Sequence, residues 1–310
     1  MGLLRPRELI QLWGMERRKG FGFYHVCTDG TVLPWMFRCE NDFICGTNRI
    51  AVCKVISGVE VWAYTLMDNH VHFLLYGTLE MCKLFIVRYK FLTGMWISHL
   101  YDHSKYIKYL PVSIIPLKTE EDVLDTIAYI DRNAMLGGFS ALPFNYPWAS
   151  TRLLFRGSNG LYDDFNTSES RIKDFSRNQL RDILKTRVVL PENWIVDHKG
   201  MINPACFVEW EKVEKLFKSP ARYLYYLTKK LEGKINLTLS DGTKSFVPDK
   251  DLRIITIGIA RDKFNHEDIR TLDVNSRLKI ARILKRDYAS NVKQIARMLY
   301  LEYNVLKEFI

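Results

Sequence analysis

The chain has 310 residues, 47% of them hydrophobic and 13% aromatic, so it can bury the cores of about two domains and is not disordered. Its formal net charge of +10 favours an anionic partner. The excess is uneven: residues 1–155 hold 16 Lys and Arg against 14 Asp and Glu, a net of +2, and the remainder holds +8. No apolar run is long enough to span a bilayer, so we expect no membrane partner.

The cysteine pattern favours a reducing compartment. None of the six cysteines forms a C-x-x-C pair, and five lie among apolar neighbours in the first 82 residues. We therefore expect reduced core thiols and a cytoplasmic location, with a zinc site built from these cysteines as the alternative. The six are Cys27, Cys39, Cys45, Cys53, Cys82 and Cys206.

Strand and helix signals alternate through the first half of the chain. The pattern predicts an α+β fold with a mostly antiparallel sheet. In chain order we predict first a strand over 20–30 and a helix over 48–56. A hairpin follows, with strands 61–67 and 70–76 and Asp68-Asn69 as its turn. We then predict a helix capped by Thr78, short strands within 105–117, and a helix that starts after Thr119 and ends at Gly137-Gly138.

Two histidines on the second strand of the hairpin suit a metal. His70 and His72 are separated by Val71, and residues i and i+2 of a strand face the same way. Both imidazoles should therefore emerge on one face, a few ångströms apart, on a rigid element. This arrangement is typical of a divalent-metal site, although a His-x-His pair can also be an accidental surface pair.

The helix after Thr119 carries a polar face beside its apolar stripe. Val123, Ile127, Ile130 and Ala134 recur at helical spacing and should face the core. Tyr129 lies off this stripe, on the same face as three polar residues. We therefore interpret Tyr129 as more than a packing residue. The polar residues are Asp122, Asp125 and Asn133.

The segment M-x-N-H-V-H-F-L-L at 67–75 resembles the HUH signature (His, hydrophobic, His) of single-tyrosine transposases. These enzymes include the insertion-sequence 200/605 group and the REP-associated tyrosine transposases. The similarity covers roughly residues 20–155, and Tyr146-Pro147-Trp148-Ala149-Ser150 resembles the Y-x-W-S-S element that follows the tyrosine helix. The resemblance implies a ferredoxin-like HUH transposase domain over residues 1–155.

The resemblance also implies the roles of individual residues. Tyr129 would be the catalytic nucleophile, and Asn133, at i+4, would join His70 and His72 as a ligand of Mg²⁺ or Mn²⁺. The enzyme would cleave and rejoin single-stranded, hairpin-bearing DNA through a 5′-phosphotyrosine, as a monomer or a homodimer. Two features depart from the family: Ala134 stands where Y-I-x-x-N-P has proline, and Asp29-Gly30 stands in place of Arg-Gly.

The second half of the chain reads as mainly helical. We predict a helical extension over 156–240, with helices at Ser168–Lys185 and Ala205–Glu232, and a helix-turn-helix-like module over 241–310. The module should contain helices over 276–288, 291–299 and 303–310, the second capped by Ser290. Its candidate DNA-binding residues are Lys293, Gln294 and Arg297. A plain helical bundle is the alternative.

Two other functions compete with the transposase interpretation. A domesticated or inactive relative would keep DNA binding and lose the chemistry. A metal-dependent hydrolase of the amidohydrolase type also uses His-x-His on a strand, but it needs eight βα units and further ligands. The absence of G-x-x-x-x-G-K and G-x-G-x-x-G motifs argues against a nucleotide cofactor.

Overall fold

The computed structural model describes residues 20–30, 35–101, 107, 109–140, 142–156, 170–229, 247, 249–288 and 290–310. In the first half, strands and helices alternate as predicted. The elements are β1 (Phe21–Thr28), α1 (Glu40–Ser57), β2 (Glu60–Leu66), β3 (Val71–Thr78), α2 (Leu79–Tyr101), β4 (Val112–Leu117) and α3 (Glu120–Leu136).

Two predicted boundaries were wrong. His70 belongs to the turn, and β3 begins one residue later at Val71. The predicted helix 48–56 is longer and begins at Glu40. Acidic Glu40 and Asp42 in its first turn favour this earlier start, and Asp42 also accepts a 2.9 Å hydrogen bond from the Arg38 amide.

The four long strands form one antiparallel sheet in the order β2-β3-β1-β4. The α+β class and the antiparallel sheet are therefore confirmed. In this order the first strand lies next to the third, and Cys27 of β1 is the register partner of His72 of β3. Directly paired residues project from the same face of a sheet, so strands far apart in sequence share one surface.

Helices cover both faces of the sheet. On one face, Val26, Phe73 and Leu75 pack in a core with α1 and α2. On the other face, Phe23 and Leu74 pack against α3. Period-two alternation along β1 and β3 divides their side chains between the two cores.

Helix α3 lies where its sequence predicted. Thr119 caps it in a reciprocal box with Asp122, and Gly137 ends it. The predicted apolar stripe is buried, with Ile127, Ile130 and Ala134 fully inaccessible. The opposite face is also buried, because later segments of the chain cover it.

The helices predicted within 156–240 are confirmed only in part, because shorter helices lie inside both predicted ranges. The described part of this segment, residues 170–229, holds two short antiparallel strands that are distant in sequence and three short α-helices. This segment packs on both sides of the sheet and contributes to both cores, so it is not a separate unit. The elements are β5 (Ser170–Arg171), α4 (Arg177–Leu184), β6 (Ile195–Val196), α5 (Trp210–Phe217) and α6 (Pro220–Thr228).

The backbone of this segment is hydrogen-bonded to the first half of the chain at particular points. The Asn48 side chain donates to the Gly200 carbonyl at 2.8 Å and accepts from the Ile202 amide at 2.7 Å. Val208 forms a parallel bridge to Val61 at the edge of β2. Covering that edge satisfies backbone groups that would otherwise be exposed.

The C-terminal helices form a core of their own, built from residues 252–306. The three predicted helices are confirmed, but Asn291, whose side chain accepts from the Gln294 amide, caps the second in place of Ser290. The sequence prediction missed a preceding helix. The four helices are α7 (Asp249–Phe264), α8 (Val274–Tyr288), α9 (Val292–Leu299) and α10 (Tyr303–Phe309).

None of the described helices has the length and apolar character needed to cross a bilayer.

We expect Asp131→Asn to stabilise the protein at about pH 8 and to change little near pH 4. Burial raises the pKa of the Asp131 carboxyl from 3.8 to about 6, so this group's contribution to stability falls as the pH rises between these values. The amide avoids this loss, which is at most about 3 kcal/mol, and it can still accept from the Tyr223 hydroxyl, 2.6 Å away. Urea unfolding at both pH values measures the difference; an equal change in unfolding free energy at both would contradict it.

Candidate functional site

The candidate site lies between the central strands and α3. The antiparallel register of β1 and β3 sets Cys27 opposite His72, and alternation along β1 brings His25 to the same face. All three side chains are buried, at 2–3% exposure. A row of polar groups on the inner face of a sheet requires partners within the molecule.

These three side chains form a compact donor cluster. His25 Nε2 lies 3.1 Å from His72 Nδ1, a distance that allows a hydrogen bond between the rings. One ligand atom from each of His25, Cys27 and His72 lies within 4.8 Å of the others. The cluster could therefore hold a metal ion.

His70 stands next to this cluster at the end of the turn. Its ring centroid lies 4.9 Å from that of His72, so the predicted proximity of the two imidazoles is confirmed. Its Nδ1 is 2.7 Å from Asn69 Oδ1, and the Asn69 amide donates to the Gly30 carbonyl at 2.8 Å. A Cβ at position 30 would lie only 2.7 Å from His70 Nδ1, so glycine permits this close approach.

Tyr129 of α3 faces the histidines. Its ring meets His72 edge-on at 5.5 Å between centroids and His25 at 5.8 Å. Only 8% of Tyr129 is exposed. Asn133 follows one turn later and donates through Nδ2 to the Tyr129 carbonyl at 2.9 Å, which leaves its amide oxygen as the end suited to a metal. The structure thus brings Tyr129, His72 and His25 together and sets Asn133 beside them.

Burial keeps the imidazoles neutral. It lowers the pKa of His25 and of His70 to about 4, and it lowers that of His72 well below its usual value with a further contribution from the two neighbouring histidines. Neutral imidazole is the form that binds metals. At physiological pH the histidines are therefore in their ligand form.

Burial has the opposite effect on the acids of the site. It raises the pKa of the Cys27 thiol to about 12, and it raises that of the Tyr129 phenol to about 12. A side-chain hydrogen bond between Asn133 and the phenol, together with the charges of Arg297 and Arg132, lowers the Tyr129 pKa in part. In this environment Tyr129 retains its proton at neutral pH, so a reaction that uses its oxygen must remove that proton.

The C-terminal helices reach the same region. The charge of Arg297 lowers the pKa values of His70 and Tyr129, whereas Asp249 raises that of His70. Arg297 pairs with Asp249 at 2.7 Å and remains 30% exposed. Gln294 is buried and donates to the Asp249 carboxylate at 2.8 Å, and Lys293 is half-buried. Of the three predicted DNA-binding residues, Gln294 and Arg297 are thus both engaged by Asp249 within the chain.

Arg253 of α7 attaches this helical module to the turn that carries His70. Its guanidinium donates to the Gly137 carbonyl at 2.6 Å and to the Tyr300 hydroxyl at 3.0 Å, and it lies 3.8 Å from the Asp68 carboxylate. It also lies over the Phe139 ring, 3.9 Å from its centroid. One side chain therefore connects α7, the end of α3 and the hairpin turn.

Sequence reasoning missed two members of the cluster. From sequence alone, a packing or capping role in the first strand is favoured for His25 over a DNA contact, and Cys27 is expected to be a core thiol. Both are buried as predicted, but they also face His72. Their i, i+2 spacing was visible in the sequence; the pairing of β1 with β3, which makes it meaningful, was not.

A separate cleft lies away from this cluster. It has a volume of about 600 Å³ and is bordered by α1, α4 and the loop at 197–200. Its charged lining includes Asp182, Lys185 and Asp197, but none of the clustered histidines. The cleft therefore lacks the donor cluster that marks the candidate site.

Comparison of the chain with protein-family models, with curated proteins and with solved structures found no significant match.

We expect Arg253→Ala to destabilise the protein by about 3 kcal/mol, because it would leave the buried Asp68 carboxylate without its cation. Arg261→Ala on the same helix is the control, since that side chain is 62% exposed. Urea unfolding followed by far-ultraviolet circular dichroism compares the two. Equal stability of both variants would show that the Arg253 contacts do not stabilise the docked module.

Proposed function

We propose that the protein is a DNA strand transferase of the single-tyrosine HUH type, with Tyr129 as its nucleophile. The observation that carries the proposal is the contact between the Tyr129 ring and the His72 ring. His72 lies on β3, and Tyr129 lies on α3, which packs directly over the β1–β3 pair. A nucleophile on one rigid element and a ligand on another are held at a set distance.

The topology supports the same proposal. The element order strand-helix-strand-strand-helix-strand and the sheet order β2-β3-β1-β4 agree with the ferredoxin-like arrangement implied by the HUH resemblance. The tyrosine helix follows β4 and packs on the face opposite to α1 and α2. The amidohydrolase alternative requires a parallel barrel, whereas the pairings in the described sheets are antiparallel.

His70, His72 and the amide oxygen of Asn133 are the residues that would hold a divalent ion. Their neutral nitrogen and oxygen donors fit Mn²⁺ and, less closely, Mg²⁺. When bound, such an ion neutralises phosphate charge and favours the ionised phenol. The raised pKa of Tyr129 makes this assistance necessary at neutral pH.

The protein groups then have distinct roles. The Tyr129 phenol loses its proton to water, its oxygen attacks phosphorus and forms a phosphotyrosine with the 5′ end, and the 3′ oxygen leaves and takes up a proton from water. The ring contacts with His25 and His72 orient the phenol. Arg297 adds positive charge beside Tyr129 and His70, as a phosphate site requires. The covalent bond conserves energy for rejoining to a second 3′-hydroxyl.

An inactive relative that only binds DNA is the second candidate. The burial that holds Tyr129 protonated is the observation that favours it. Both candidates predict DNA binding, and they differ in whether a covalent adduct forms.

The first test is covalent capture. With labelled single-stranded DNA from the flanks of the gene and Mn²⁺, the wild type should form an adduct that withstands denaturing electrophoresis, and Tyr129→Phe should form none while binding the DNA equally. Tyr225→Phe is the control, because Tyr225 is 61% exposed on α6. An adduct in Tyr129→Phe would refute the assignment of the nucleophile, and no adduct in the wild type would favour the inactive relative.

The second test is the form of the substrate. Tyr129 must reach one phosphate in line from a buried position, which a flexible strand permits more readily than a stiff duplex. We expect cleavage of hairpin-bearing single strands beside the stem and at least about tenfold slower cleavage of the same sequence as a perfect duplex. Matched oligonucleotides at one salt concentration make the comparison valid. Equal or faster duplex cleavage would indicate a conventional metal nuclease.

A further inference from the structure

The donor cluster of His25, Cys27 and His72 differs in chemistry from the set that the proposed reaction uses. The reaction set, which is His70, His72 and Asn133, offers two imidazoles and an amide oxygen. The cluster keeps the His72 imidazole but has the His25 imidazole and the Cys27 thiol, both from β1, in place of the His70 imidazole and the Asn133 oxygen. Thiolate is a soft ligand that selects Zn²⁺ and similar ions and is a poor ligand for Mg²⁺.

The spacing of the cluster suits a small tetrahedral ion. Zinc–nitrogen bonds of about 2.0–2.1 Å and zinc–sulfur bonds of about 2.3 Å separate two nitrogens by about 3.3 Å and a nitrogen from a sulfur by about 3.6 Å. Here His25 Nε2 and His72 Nδ1 are 3.1 Å apart, and all three donor atoms lie within 4.8 Å of one another. Small rotations of the three side chains would bring their donor atoms to these distances.

The surroundings favour the same kind of ion. The three residues lie on paired central strands, so the backbone fixes their spacing. Burial keeps both imidazoles neutral. The Tyr129 ring closes one side of the cluster. A preformed, dry set of neutral nitrogen donors with one thiol loses little entropy when it binds a metal.

We propose that His25, Cys27 and His72 form a binding site for Zn²⁺ or a similar thiophilic ion, distinct from the His70–His72–Asn133 set and sharing His72 with it. Binding releases the Cys27 thiol proton to solvent, and the thiolate then ligates the ion. Because one imidazole serves both sets, occupancy of the thiolate site withdraws His72 from the other. The binding site stands on its own geometry; this competition rests on the proposed function.

Cobalt is the probe, because Co²⁺ replaces zinc in such sites and reports its ligands by absorption. The full-length protein, reduced and freed of metal, is titrated with Co²⁺. We expect one equivalent to produce a thiolate-to-cobalt charge-transfer band and intense tetrahedral ligand-field bands, and Zn²⁺ to displace them. The absence of a charge-transfer band in the wild type would overturn the proposal.

Variants locate the site. Cys27→Ser should abolish the charge-transfer band, and His25→Ala should weaken Co²⁺ binding at least about tenfold, since even outer-shell changes cost that much. Cys39→Ser is the matched control, because Cys39 is an exposed thiol away from the cluster. His70→Ala and Asn133→Ala should retain the band. Survival of the charge-transfer band in a Cys27→Ser variant that is folded by circular dichroism would refute the site. Loss of the band in His70→Ala would refute it as well.

A second readout separates this site from the proposed reaction. Tyr129→Phe should retain the cobalt spectrum whether or not the wild type cleaves DNA, so a missing adduct leaves the metal site intact. If the wild type cleaves with Mn²⁺, stoichiometric Zn²⁺ should inhibit it at least about tenfold more strongly than it inhibits Cys27→Ser. Equal inhibition of the two proteins would refute the sharing of His72.

Discussion

The candidate site depends on the antiparallel pairing of β1 with β3. This register sets Cys27 opposite His72 and brings His25 within 3.1 Å of it, although the two histidines are 47 residues apart in sequence. A slip of one residue would turn the cluster toward α1 and α2, into an apolar core where its polar atoms would lack partners. The alternation that places Val26 and Phe73 in that core therefore also fixes the chemistry of the opposite face.

Burial shifts the pKa values of the titratable groups on this face. The same loss of water that holds the histidines neutral also holds the Tyr129 phenol protonated, with a pKa of about 12. The proposed metal binding and nucleophilic attack both need a deprotonated group, and burial favours that form for the histidines but opposes it for Tyr129. A cation resolves the conflict, because it binds neutral imidazole and stabilises an ionised phenol. Arg297 supplies part of this positive charge from the C-terminal helices.

The sequence predicted the features that depend on local physics. The capping box of Thr119, the buried stripe through Ile127 and the placement of Tyr129 off that stripe follow from helical spacing within one segment. The hairpin that presents His72 follows from its turn. The roles of His25 and Cys27 could not be predicted in this way, because they depend on strand order, which is set by packing between distant segments.

The same distinction explains the later part of the chain. Residues 170–229 showed helical patterns, yet their structure is set by the sheet edge and the two cores they complete. The C-terminal helices were largely predictable because they form their own core. Their docking was not, since it depends on Arg253 meeting Gly137, Tyr300 and Asp68 at once. That contact brings the C-terminal helices, which belong to the more basic half of the chain, to the hairpin turn beside His70. The charge of Arg297 on these helices therefore acts on the candidate site.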